Sequence, residues 1–259
     1  MSDLLWRFSF IIAVGSLVWL LHRHIGVYPI ALPRSVNPSK NIRSVLVLWV
    51  IAVIFPILMM VWISPLLDRI VTNRVINQLV QAPFRSILYL LLPIFLETRQ
   101  RGWSSLDLGL SFKNKSWDVT IFAVVVGLAS GSIAYFTGQS NISIQVLPLG
   151  ELLLLFYNNA FLEEFYHRGV IQSLLERTVG QGKAVWCGGI LFGLTHMAFD
   201  VFTLEERSGI LVIFSALFLQ TLAGWLFGII YIKTRSLWPG IACHYCANWL
   251  PSILVALAG

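Results

Sequence analysis

The sequence predicts an all-α, polytopic membrane protein with about eight transmembrane helices. Of its 259 residues, 57% are hydrophobic and only 12% are charged, whereas soluble domains carry about 25% charged residues. The mean hydropathy is +0.79. The apolar runs are continuous rather than alternating, which excludes a transmembrane β-barrel.

A helix needs about 20 apolar residues to cross a bilayer, and we predict eight such spans along the chain. We expect one integral membrane domain, 1–259, in which 1–117 holds N-terminal helices and cytoplasmic loops and 118–259 holds the core helices that carry the polar motifs described below. The predicted spans cover 4–21, 44–66, 76–96, 118–137, 149–166, 184–199, 209–232 and 237–257.

Basic residues are distributed unevenly between the predicted loops. Loops after the odd-numbered spans hold most of the 18 Lys and Arg residues: Arg23, Arg34, Lys40, Arg43, Arg99, Arg101, Lys113, Lys115, Arg168, Arg177, Lys183, Lys233 and Arg235. The opposite side holds only Arg7, Arg69, Arg74 and Arg207. The positive-inside rule therefore places the odd loops in the cytoplasm and both termini on the non-cytoplasmic side. The net charge of +6 comes from these short loops, so we predict no nucleic-acid partner. The oligomeric state is unknown from the sequence.

The fifth predicted span ends in a group of charged residues, which are costly inside a membrane. Glu164 and Arg168 are four residues apart in the order that favours an ion pair on a helix. Glu163 points about 100° away and stays free for proton transfer or for a pair with His167. The alternative interpretation is a solvated helix end at the cytoplasmic interface.

Three further polar residues lie in apolar stretches nearer the C-terminus. His196 follows a glycine-rich segment, and a hydrogen-bonded packing histidine would fit there equally. His244 and Asn248 share one helix face, and both can donate hydrogen bonds towards one point. They predict either an oxyanion hole or an interhelical hydrogen-bonding pair.

The three motifs Glu163-Glu164-x-x-x-Arg168, Phe192-x-x-x-His196 and His244-x-x-x-Asn248 occur in this order within 160–250. Together they resemble the CPBP family, the CAAX protease and bacteriocin-processing (Abi) proteins, which includes the type II CAAX prenyl endopeptidases. The resemblance implies an intramembrane endopeptidase whose conical active-site cavity opens to the cytoplasmic side. Its substrate would be a peptide or a lipidated protein at the bilayer, cut near its C-terminus, and a prenylated CAAX-type tail is one candidate.

The resemblance also implies a role for each motif residue. Glu163 would be the general base that activates water, and His196 would bind and polarise that water. His244 and Asn248 would stabilise the oxyanion, with Glu164 and Arg168 in support. No cofactor is required by this scheme.

Two alternatives remain open from the sequence. Glu163, His196 and His244 could instead hold Zn²⁺ around an activated water, although the HExxH pattern is absent. A non-catalytic immunity or transport protein would keep the same apolar helices without needing the four catalytic candidates.

Overall fold

The computed structural model describes residues 2–71, 74–99, 102–112, 116–137, 149–203 and 210–258, and these residues form helices and loops without strands. Eight helices follow one another in the described residues: α1 Ser2–His24, α2 38–70, α3 74–99, α4 Trp117–Thr137, α5 149–179, α6 Gln181–Thr203, α7 Ile210–Thr234 and α8 Trp238–Ala258. The prediction of an all-α membrane protein is confirmed.

Among the described residues, four helical segments are long and apolar enough to cross a membrane: Pro38–Leu67, Val75–Glu97, Trp117–Phe136 and Leu217–Thr234. Phe8–His24 is a shorter apolar helix. The helices α5, α6 and α8 contain the polar motif residues, which lower their mean hydropathy. The count of eight spans therefore stays a prediction.

The fifth helix is longer than the sequence predicts. The predicted span ends at 166, but α5 continues to Val179 and stops at Gly180, which has a φ of 89°. Arg168 is consequently an interior residue, buried to 2% exposure, and not a loop residue. The predicted helix end at this point is wrong, because the charged side chains find partners on neighbouring helices rather than in water.

Loops after the odd-numbered helices meet at one end of the bundle. In the loop that follows α1, the backbone N–H of Leu32 donates to Glu176 near the end of α5. Glu176 also accepts two hydrogen bonds of 2.7 Å from Arg235, in the turn between α7 and α8. Because loops one, five and seven share these contacts, their helices alternate in direction, as the eight-span prediction requires.

The segment 102–112, between α3 and α4, packs against the same end of the bundle. Arg177 of α5 pairs with Asp107 at 2.5 Å, and its guanidinium lies 4.5 Å from the centre of the Trp103 ring. The N–H of Leu237 donates to the carbonyl of Gly109 at 2.9 Å. Loop three thus joins the other odd loops on one side.

Lys233 fastens the C-terminal end of α1 to α7. Its ammonium donates to the carbonyls of Leu21, His22, Ile25 and Gly26 at 2.6–3.3 Å. The last carbonyls of a helix have no partner within the helix, and a lysine can satisfy them. The side chain is buried and serves as a structural cap.

Small residues let α6 and α7 approach closely, as the glycine-rich sequence of α6 predicts. A Cβ atom added to Gly189 would lie 2.1 Å from Cδ1 of Trp225, and one added to Gly193 would lie 2.2 Å from Oγ1 of Thr221. This close approach brings α6, which carries His196, against the helix that precedes α8.

Candidate active site

Glu163 and Glu164 lie in a short α-helical piece of α5, Leu162–Glu164, between two stretches of π-helix. The stretches are Phe156–Phe161 and Phe165–Gln172, and neither contains a proline. A π turn closes i→i+5 hydrogen bonds and is found most often at functional sites. The two adjacent carboxylates are directed to different neighbours.

Glu164 is buried between two partners that complete its hydrogen bonding. Its side chain is 1% exposed, and Oε2 lies 3.3 Å from Nε of Arg168. Its other oxygen, Oε1, accepts a hydrogen bond of 3.0 Å from Nδ1 of His244 on α8. The predicted ion pair of Glu164 and Arg168 is therefore present, and it extends to His244, a contact that the sequence does not reveal.

Aromatic rings enclose the Arg168 guanidinium. Its Cζ atom lies 4.2 Å from the centre of the Phe192 ring and 5.2 Å from that of Phe227, distances at which cation–π attraction operates. Nη2 donates to the carbonyl of Gly224 at 3.4 Å. Phe192, the first residue of the second motif, thus stabilises the first motif.

Glu163 faces two histidines from other helices. Its Oε2 lies 3.8 Å from Nε2 of His196 on α6 and 4.0 Å from Nε2 of His244 on α8. Glu163 is 34% exposed and His196 is 24% exposed, so the group is accessible, unlike Glu164 behind it. The structure thus brings together residues from three helices at one carboxylate oxygen.

The Nδ1 contacts of His196 and His244 indicate which ring nitrogen carries a proton. Nδ1 of His196 lies 3.0 Å from the carbonyl oxygen of Phe192, which can only accept, so Nδ1 carries a proton. His244 likewise donates from Nδ1 to Glu164. In a neutral ring Nε2 then holds a lone pair, and in a doubly protonated ring Nε2 also carries a proton.

The distances between Glu163 and the two histidines allow one water to bridge these side chains. Separations of 3.8 and 4.0 Å are too long for direct hydrogen bonds. Polar groups so placed can share a bridging water. A water about 2.7–3.0 Å from Oε2 of Glu163 and from Nε2 of one of the histidines would satisfy hydrogen-bond geometry, and it would lie beside the Glu163 carboxylate.

Asn248 and His167 stand apart from this group. Asn248 lies one turn after His244 on α8, and its exposed side chain makes no hydrogen bond to the described residues. The His167 ring packs edge to face against Phe192, with 5.0 Å between centroids, and pairs with no acid in the part of the chain that the structure describes. The predicted pair of Glu163 with His167 is therefore absent, and Glu163 lies beside His196 and His244 instead.

The contribution of α3 to the site was not predicted from the sequence. Its π-helical segment Ile87–Leu91 packs against Leu162–Glu164, and the charges of Arg85 and Glu163 interact. The Tyr89 ring lies 4.7 Å from that of Tyr166. The signal was available, because Arg85 is the one basic residue placed inside the third predicted span and intramembrane charges mark functional sites.

The three candidate zinc ligands have the donor types that zinc prefers, with second contacts that orient histidine ligands. Their spacing is less suitable, since tetrahedral zinc with bonds of about 2.0–2.1 Å holds neighbouring ligand atoms roughly 3.4 Å apart. The described residues contain no group of three or more His, Cys, Asp or Glu side chains arranged to hold a metal ion. The observed spacing therefore does not fit a closed zinc site.

Because the polar site lies among apolar helices, we classify the protein as a membrane protein with an intramembrane site. Residues 145–250 match the family model described as "Type II CAAX prenyl endopeptidase Rce1-like". This match supports the resemblance of the three motifs to the CAAX protease family. No curated protein and no solved structure matches the chain.

Proposed function

We propose that the protein is an intramembrane endopeptidase of the glutamate type, which cuts a membrane-associated substrate near its C-terminus. The observation that carries the proposal is the convergence of His196 and His244 on one oxygen of Glu163, 3.8 and 4.0 Å away. This convergence lies within the Rce1-like domain. Peptide hydrolysis needs a base, a positioned water and donors to the oxyanion, and these residues supply each of them.

In the proposed reaction Glu163 acts as the general base. Its carboxylate removes a proton from a water held by Nε2 of His196, and the water oxygen attacks the scissile carbonyl carbon. The protonated Glu163 then passes this proton to the amine leaving group when the carbon–nitrogen bond breaks. One water is consumed, and a carboxylic acid and an amine are released.

His244 and Asn248 are proposed to stabilise the oxyanion that forms after water attack and before the carbon–nitrogen bond breaks. An imidazole that already donates from Nδ1 to Glu164 can donate from Nε2 only when both nitrogens are protonated. The buried carboxylate of Glu164, which also pairs with Arg168, compensates that positive charge. The exposed amide of Asn248 supplies the second donor once substrate covers it.

Metal-independent catalysis is part of the proposal, with zinc as its competitor. If zinc were bound by Glu163, His196 and His244, it would supply a Lewis acid and an activated water. Chelator treatment separates the two schemes: activity retained after EDTA and phenanthroline supports the glutamate scheme. Activity that is lost and restored by zinc contradicts it.

The protein is an integral membrane protein, and we propose that its site opens to the cytoplasm. The proposal rests on the basic residues of the odd loops and on the packing of those loops at one end of the bundle. A prenylated CAAX-type tail is the first substrate to test, because the family description names it.

The experiment uses purified full-length protein in detergent with quenched peptides, with and without a prenyl group. Wild type should cleave at least one peptide, and Glu163→Ala should abolish cleavage. Arg69→Gln serves as the control, because it removes a charge from an exposed position of α2. Cleavage that survives Glu163→Ala contradicts the proposed base.

A further inference from the structure

Arg85 is a cation in the middle of α3, within a helix long and apolar enough to cross the membrane. Intramembrane arginines are costly and nearly always have a partner or a functional ligand. In the part of the chain that the structure describes, no carboxylate lies within ion-pair distance of this guanidinium. Its side chain has one hydrogen bond, a 3.3 Å contact from Nη1 to Oδ1 of Asn159.

The surroundings of Arg85 are polar along one face of α3. Nε2 of Gln81 donates to Asn77 at 2.7 Å, and Nδ2 of Asn158 on α5 donates to Gln78 at 3.4 Å. Oδ1 of Asn158 is buried without a partner among the described residues. Amide side chains therefore line the contact between α3 and α5, and Arg85 belongs to the same polar row.

This polar row ends beside the candidate base. Segment Ile87–Leu91, which begins two residues after Arg85, packs against Leu162–Glu164, and the charges of Arg85 and Glu163 interact. A guanidinium has five N–H donors in a fixed fork that matches a carboxylate. With one donor on Asn159, the other donors of Arg85 are available to an anionic ligand.

We propose that Arg85 binds the free C-terminal carboxylate of the substrate and so selects peptides cut near that end. This inference rests on the proposed endopeptidase function, since a substrate cut near its C-terminus carries one carboxylate at a short distance from the scissile bond. A tail of three extended residues spans about 10 Å.

The first test needs no variant. Wild-type protein is given two quenched peptides of one sequence, one ending in a free acid and the other in an amide. We expect the acid to be cleaved with a kcat/KM about 10–100-fold higher, the range of a charge-assisted hydrogen-bonded pair. Equal cleavage of both peptides would overturn the proposal.

A second arm moves the carboxylate without removing it. Two residues added after the natural end displace the carboxylate by about 7 Å, beyond the reach of a fixed guanidinium. The extended acid should therefore lose its advantage over the extended amide. An advantage that persists at every tail length shows a general preference for anions and contradicts a site at Arg85.

Variants then assign the preference to the residue. Arg85→Gln should lower kcat/KM for the acid to the level at which the same variant cleaves the amide, chiefly through KM. Arg85→Lys should restore part of the preference, because it keeps the charge but not the fork. Arg69→Gln, which loses an exposed arginine of α2, should keep the full preference. If Arg85→Gln instead lowers the kcat of both peptides equally, Arg85 supports Glu163 and does not bind the tail.

Failure of this inference is separable from failure of the proposed function. If wild type cleaves no peptide under any condition, the endopeptidase assignment fails. If wild type cleaves acid and amide alike and Glu163→Ala abolishes both, the endopeptidase stands and carboxylate binding by Arg85 is wrong.

Discussion

Glu164 Oε1 and His244 Nδ1 lie 3.0 Å apart, and this buried hydrogen bond joins the first motif to the third. Glu164 also holds Arg168, so one carboxylate connects α5 and α8 and fixes the ring that faces Glu163. The adjacent acids have separate tasks in this arrangement. Glu164 positions the site from behind, and Glu163 reaches the accessible space where a water and a peptide can meet.

Replacing Glu164 by Gln should destabilise the protein and impair its activity. The change leaves the buried Arg168 guanidinium without its counter-charge, and breaking such a pair from one side costs about 3–5 kcal/mol. Thermal unfolding in detergent should show a clearly lower Tm. Glu164→Gln combined with Arg168→Met should recover part of the loss, because no unpaired charge remains. A Tm equal to that of wild type in the single variant would contradict a structural role for the pair.

Replacing Asn248 by Ala should lower kcat without affecting the fold. The side chain is exposed and makes no hydrogen bond to the described residues, so its removal should leave the Tm unchanged. Loss of one oxyanion donor typically reduces kcat by about 10²–10³-fold. Steady-state kinetics with a quenched peptide measures this effect. Unchanged kcat would exclude Asn248 from the oxyanion site.

The sequence predicts the helices and the identity of the motif residues, because both follow from local signals. Apolar runs define the eight helices, and the Glu164–Arg168 pair follows from spacing on a single helix. Pairings between helices do not follow, so the contact of Glu164 with His244 was not predicted. The end of α5 was misplaced for the same reason: a charged residue was interpreted as reaching water, whereas Arg168 is held by Phe192 and Phe227.

The level of His196 relative to Glu163 depends on how the helices pack and not only on the spacing of residues along the chain. Spacing along the chain does not fix the distance between His196 and Glu163, because helices of different lengths begin at different levels. The close contact of α6 with α7, which the glycines of α6 predict, sets that level together with the π-helical turns of α5, which have no clear sequence signature. The conical cavity and the number of membrane spans stay predictions.

Acid should release the segment 102–112 from the end of α5. Burial by itself would raise the pKa of Asp107, but hydrogen bonds from Ser104 and the Arg177 guanidinium outweigh it and hold the pKa below its ordinary value of 3.8. A carboxyl group with a lowered pKa stabilises the fold above pH 3.8 and loses that contribution as the pH falls through the folded-state pKa.

Limited proteolysis of the segment 102–112 at pH 5 and at pH 3 measures this release. Wild type should be cut faster at pH 3, tested with an acid-active protease and corrected for protease activity on an unfolded standard. Asp107→Asn should be cut at similar rates at both values, since it has no carboxylate to protonate. A wild-type segment that stays protected at pH 3 would show that Asp107 does not hold it.

Epitope tags at both termini should react on the non-cytoplasmic side. The prediction follows from the basic residues in the odd loops and from eight crossings, which return the chain to the side where it began. Antibody access in intact and in permeabilised cells measures it, with a tag inserted in the exposed part of 25–37 as the cytoplasmic control. Termini that react only after permeabilisation would reverse the orientation.

The central claim is that Glu163 activates the water that hydrolyses the peptide. The most direct measurement is the rate of peptide cleavage by Glu163→Gln, a variant that keeps the size of the side chain and removes its basic oxygen. We expect cleavage to fall to the uncatalysed level while the Tm stays within a few degrees of wild type, and we expect metal chelators to leave the wild-type rate unchanged. Cleavage by Glu163→Gln at a rate close to that of wild type would contradict it.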